Sequence, residues 1–169
     1  VFSSSYDPGE GWSSRDISPA LPLNETYNLY PYLAGPNATL TAAGSGNALN
    51  IRSFRLSVNG NQLINESMDF FKTIKKQVTF PVSLLGNPGG DNIIITNSSA
   101  NATDRMVAAG YDITYPRQFN FGGNSQFEFQ LAANPSGNYL EISNFNAGAT
   151  APLLYDLTNG RRYAGDITT

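Results

Sequence analysis

The chain has 169 residues, 40% hydrophobic and 14% charged, which places it with globular chains able to bury a core rather than with disordered ones. Its formal net charge of -3, with no basic run longer than Lys75-Lys76, argues against nucleic acid as a partner. It contains no cysteine and no histidine, which excludes disulfides, zinc-thiolate centres, Ser-His-Asp triads and Cys-His pairs.

The apolar stretches are strand-sized, Ile93-Ile94-Ile95 among the longest, so no membrane insertion is expected. A chain that begins at Val1 without a leader is expected to be a segment excised from a larger secreted polypeptide. The first fifty residues carry Pro19, Pro22, Pro31 and Pro36. Tyr27, Leu29 and Tyr32 are assigned there to an edge strand, and Ala42 to Gly46 to a flexible loop.

From residue 54 the pattern has a period of two. Phe54, Leu56 and Val58 alternate with Arg55 and Ser57, and Asn59-Gly60 turns the chain into Gln62-Leu63-Ile64. At most one helical turn is expected near 65–71. Val78, Phe80 and Val82 alternate next, with Pro81 marking a strand edge or end. Asn87-Pro88-Gly89-Gly90 turns into the β-branched run 93–96, and Tyr111, Ile113 and Tyr115 form one face of a strand that stops at Pro116. Three further strands are predicted, on Phe127/Phe129/Leu131, on Leu140/Ile142 and on Leu153/Tyr155/Leu157. Asn159-Gly160 leads the last into Arg161-Arg162-Tyr163. Short strands at regular spacing, separated by Gly, Pro and Asn, are the pattern of a sandwich or barrel, and an all-β antiparallel sandwich formed as a single domain over 1–169 is expected.

Candidate chemistry is sparse. Glu128 and Glu141, on adjacent predicted strands, are a carboxylate pair of the kind glycoside hydrolysis uses, and ordinary solvated glutamates read the same way. Oxygen ligands for calcium are available at Asp7, Glu10, Asp91, Asn92 and Asp104, without the alternation of a dedicated calcium loop; turn chemistry accounts for these residues equally well. No other cofactor is expected. The glycines at Gly44 and Gly46, Gly89-Gly90 and Gly122-Gly123 do not join a strand to a helix and so lack the phosphate-binding context. Trp12, Tyr27, Tyr30 and Tyr32 are candidates for a sugar-stacking platform, against which stands the use of a lone Trp as a core plug. Asn-x-Ser/Thr sequons occur at Asn24, Asn37, Asn65, Asn97 and Asn101, in a chain so rich in these residues that chance supplies most of them.

Four stretches carry a family resemblance: Arg55–Gly60, the pair Val78–Leu85 and Asp91–Ile95, Ala109–Arg117, and Leu153–Tyr163. Gly9-Glu10-Gly11-Trp12 adds a weaker one. Together they resemble the β-rich domain preceding the peptidase domain of gingipain-like cysteine peptidases and type IX secretion sortase-like proteins. The resemblance covers about two-thirds of the chain. It implies a jelly-roll-like, galactose-binding-like sandwich, extracellular or on the cell surface of a Gram-negative bacterium. It also implies an accessory role beside an adjacent catalytic domain or another protein domain. The family's catalytic His and Cys lie in the domain that follows, so no catalytic residue carries over to this chain. Tyr115, Arg117 and Trp12 are the candidate interaction residues: Pro116 ends a strand and leaves Arg117 able to pair with a partner's carboxylate. The competing reading is a carbohydrate-binding module with a glycan as partner.

Overall fold

A computed structural model describes residues 12–165. The chain divides into two compact units, Val1–Gln118 and Phe119–Thr169. The first is an antiparallel β-sandwich. Its strands among the described residues are β1 (Leu23–Tyr27), β2 (Ala38–Gly46), β3 (Ser53–Val58), β4 (Asn61–Ser67), β5 (Thr73–Phe80), β6 (Asp91–Asn97) and β7 (Met106–Thr114). One sheet has the order β1-β6-β3-β4 and the other β5-β2-β7.

The alternation in the sequence does the folding. Phe54, Leu56 and Val58 of β3, with Ile93 and Ile95 of β6, face Leu40, Ala42, Phe80, Met106 and Ala108 of the other sheet, all buried. Each large side chain so buried contributes about 1.5–3 kcal/mol. Asn59 and Gly60 take φ of 50° and 79° in the two-residue loop that pairs Val58 with Asn61, the left-handed turn that suits the twist of a hairpin. Pro81 ends β5, and Val82–Leu84 continue as a single 3-10 turn, so Val82 is buried but not in the strand.

The segment 42–46, expected to be a loop, is instead the end of β2, the central strand of its sheet. Its alternate residues Ala38, Leu40, Ala42, Gly44 and Gly46 are all buried. The residues are small because their neighbours are large: a Cβ on Gly44 would stand 2.8 Å from the Phe54 ring, and one on Gly46 would meet the Phe70 carbonyl oxygen and the Arg52 guanidinium. Low side-chain volume here marks close packing, not flexibility.

The predicted edge strand is β1, but it ends at Tyr27, leaving Leu29 and Tyr32 outside it. No helix forms over 65–71: β4 runs to Ser67, and a turn follows at Phe70 and Phe71. Among the described residues no helix is long and apolar enough to cross a membrane.

Two buried polar clusters tie the loops at the opposite ends of this sandwich. At one end Arg52 donates to both oxygens of Asp104 at 2.6 and 2.7 Å and to the carbonyls of Ala48, Met68 and Phe70, which uses all five of its N–H groups. Asn50 and Asn97 also donate to Asp104. At the other end Asp91 accepts from the backbone N–H of Gly86 and from the Asn59 side chain, which also reaches the Leu84 carbonyl.

In the second unit, β8 (Leu153–Asp156) pairs with β9 (Arg161–Ala164) around the predicted Asn159-Gly160 turn. The strands predicted on 127–131 and 140–142 do not form. The alternating phenylalanines there pack ring on ring instead: Phe127 stacks on Phe121 at 4.3 Å between centroids, and Phe129 meets Phe119 edge-on at 5.2 Å. Period two records an aromatic cluster around the buried Phe121 in this stretch, without a backbone ladder.

Candidate functional site

An open cleft of about 270 Å³ lies where the edge strand of each sheet is unpartnered, between β1 and β7. Leu23, Glu25 and Tyr27 line it from β1, spaced two apart and therefore on one face of the strand. Ala108, Ala109, Gly110 and Tyr111 line it from β7, and Ser14 closes it.

A β-bulge aims Tyr111 into this site. The register of β7 against β2 slips at Ala109: Gly44 pairs with Ala108 and Ala43 with Gly110. Before the slip the inward residues are Met106 and Ala108; after it they are Tyr111 and Ile113. One inserted residue thus moves the buried phase from even to odd positions, which is how bulges redirect side chains. Ser14 holds the other half of the β7 edge, donating its N–H to the Ala108 carbonyl while its Oγ accepts from the Ala108 N–H.

At the centre Glu25 accepts hydrogen bonds at Oε2 from the phenols of Tyr111 and, at 2.5 Å, Tyr27. The two phenol oxygens are 2.9 Å apart and the rings meet edge-on. The Tyr111 phenol, and then that of Tyr27, hold the Glu25 carboxyl below its ordinary range against the opposing effect of burial. Burial, followed by the Glu25 carboxylate, pushes the Tyr111 phenol well above its ordinary value; the Glu25 hydrogen bond raises Tyr27 as well. At neutral pH the trio is one carboxylate and two neutral phenols. Among the described residues no ion pair includes Glu25.

No family model matches the sequence, and no curated protein matches it. Solved structures do. Dimeric latent PorU from Porphyromonas gingivalis aligns with 64% of this chain at a TM-score of 0.50 and 10% identity, and the aligned part is 11% of the PorU chain. The C-terminal domain of EclA, a sugar-binding protein, aligns with 54% of this chain and 65% of its own at a TM-score of 0.41 and 13% identity. At such identities the likeness to PorU is one of fold.

Of the residues singled out in the sequence, only Tyr27 belongs to the cleft. Trp12 is 80% exposed, two residues before Ser14. Tyr32 is exposed on the following loop, and Tyr30 lies under the Arg117 guanidinium, 5.4 Å from ring centroid to charge. Tyr115 packs against the core from just beyond β7, and exposed Arg117 forms an isolated bridge with Pro31. Glu128 and Glu141 are exposed and not on strands.

Among the described residues no group of three or more Asp, Glu, His or Cys side chains is placed to hold a metal ion. Asp91 and Asp104, candidates for calcium, are engaged in the two loop-tying clusters; Asp7, Glu10 and the Gly9–Gly11 stretch lie outside the described residues. Asn97, in a sequon, is buried against Asp104. Neither Glu25 nor Tyr111 was singled out in the sequence as a site residue, although Tyr111 was placed with Ile113 on one face of its strand, where it lies. Glu25 had a local signal, an acid two residues from a tyrosine on one strand face, whereas the place of Tyr111 depends on a bulge that no turn residue announces.

Proposed function

We propose that this chain is a non-catalytic accessory domain that mediates protein contact within a secreted or cell-surface gingipain-like or type IX secretion sortase-like protein. Supporting this, four stretches of sequence resemble the domain that precedes the peptidase in that family, and the fold independently resembles a stretch of PorU. The observation that carries the reading is one of scale: 64% of this chain matches a piece amounting to 11% of a far longer chain, as expected of a module beside other domains. The absence of cysteine and histidine from the sequence removes the peptidase chemistry of the family from this segment. An extracellular or surface location follows from the same resemblance.

The test is in two parts. The full reading frame that encodes this segment is expected to encode a Cys- and His-bearing peptidase domain beside it. The isolated chain is expected to turn over neither peptide nor glycoside substrates. A reading frame without the peptidase domain overturns the family assignment, and turnover by the isolated chain overturns the non-catalytic one.

A second reading, a carbohydrate-binding module, is favoured by the exposure of Trp12 and Tyr32, rings available for stacking on a sugar face. Glycan-array binding lost in Trp12→Ala supports it; an empty array removes it.

A further inference from the structure

The chemistry of the cleft between β1 and β7 selects its ligand. Every side-chain proton in it is committed. The two phenols have one proton each for three short contacts among themselves and Glu25, and Ser14 Oγ donates to the Arg15 carbonyl at 2.7 Å. What remains on the side chains is acceptor capacity: the phenol lone pairs and Glu25 Oε1, which has no hydrogen-bond partner among the described residues. A ligand here has to bring the protons, and it meets a carboxylate with no counter-ion.

The geometry further separates one cation from another. A guanidinium pairs with carboxylate through two parallel bonds, one to each oxygen. Oε2 is already occupied by the phenols, so only single-point pairing at Oε1 is open. That suits an ammonium, a compact charge with three rotatable donors. The rings of Tyr27 and Tyr111 add their π-electrons, and Leu23, Ala108 and Ala109 supply an apolar wall for an alkyl stem.

We infer that the Glu25–Tyr27–Tyr111 cleft is a docking site for a lysine side chain of a partner protein. This rests on the protein-contact reading above and names the chemistry of the contact, but its test does not depend on the parent polypeptide.

The experiment titrates the ¹⁵N-labelled chain with Nα-acetyl-lysine methylamide, following the backbone amides of 23–27 and 108–111. The arginine and norleucine analogues, and a panel of methyl glycosides, run in parallel. The lysine analogue is expected to shift these amides, the arginine analogue to bind more weakly, and norleucine not at all. Glu25→Gln, which keeps the shape and removes the charge, is expected to weaken lysine binding by about tenfold or more, the worth of a charge-assisted hydrogen bond. The inference fails if the lysine analogue leaves these amides unmoved, or if Glu25→Gln binds it as well as the parent. It also fails if the glycosides bind the cleft in its place, an outcome that would instead favour the carbohydrate reading. A parent gene without a peptidase domain would leave the lysine result standing.

Discussion

Removing Asp104 should be the most damaging single change to a polar residue in the sandwich. The Asp104 and Arg52 side chains are fully buried and joined by two hydrogen bonds of 2.6 and 2.7 Å. In Asp104→Ala the guanidinium keeps its three carbonyl acceptors but loses its only counter-charge among the described residues, and the Asn50 and Asn97 amides lose an acceptor. Leaving a buried charge uncompensated costs about 3–5 kcal/mol. Against a typical total of about 5–15 kcal/mol for a domain, that is roughly a fifth of the stability or more. Urea unfolding followed by far-UV circular dichroism should show the midpoint falling with an unchanged slope. The double replacement Arg52→Met with Asp104→Leu removes both charges and should cost less than Asp104→Ala alone, because no ion is left stranded. A loss below about 1 kcal/mol in Asp104→Ala, the range of an exposed pair, would refute the argument. So would a double mutant as unstable as the sum of its singles.

The same carboxylate sets an acid limit. Burial raises its pKa, but hydrogen bonds from Arg52, Asn97 and Asn50 together with the Arg52 charge outweigh burial and lower it from 3.8 to about 2. Its contribution of about 2–3 kcal/mol is therefore present above pH 4 and lost as the pH falls through 2, a loss that Asp104→Asn should abolish in acid titrations of stability. Gly46→Ala should destabilise by several kcal/mol, since its Cβ would fall within van der Waals contact of the Phe70 carbonyl and Arg52; thermal unfolding checks it, and an unchanged midpoint would mean that the β2 packing is misread. In ultraviolet titration, Tyr111 should ionise well above the ordinary range of a tyrosine phenol. Glu25→Gln should bring Tyr27 and Tyr111 down towards that range, whereas unchanged curves would dissolve the proposed trio.

Sequence by itself was sufficient for the fold class and for most strands of the sandwich. In 54–58, 62–64 and 93–96 the side-chain period or the β-branched content agrees with the turn residues beside it, and such local consistency survives folding. The Asn59-Gly60 hairpin was legible for the same reason: its chemistry is contained in two residues. Where a signal depended on what lay opposite, the sequence misled. Ala42 to Gly46 looked like a loop because small residues carry no hydrophobic signature, and only the Phe54 ring and the Arg52 guanidinium across the sandwich explain why they must be small. Phe127 and Phe129 alternated like a strand, yet stacking with Phe119 and Phe121 satisfied their side chains without a ladder. The candidate site was legible locally only at Tyr27, an aromatic candidate whose partners the sequence did not indicate. Glu25 and Tyr111 are 86 residues apart, and they meet because a one-residue slip at Ala109 turned the end of β7 over. Such a slip is set by the register between strands, a property of pairs of segments that no single segment encodes.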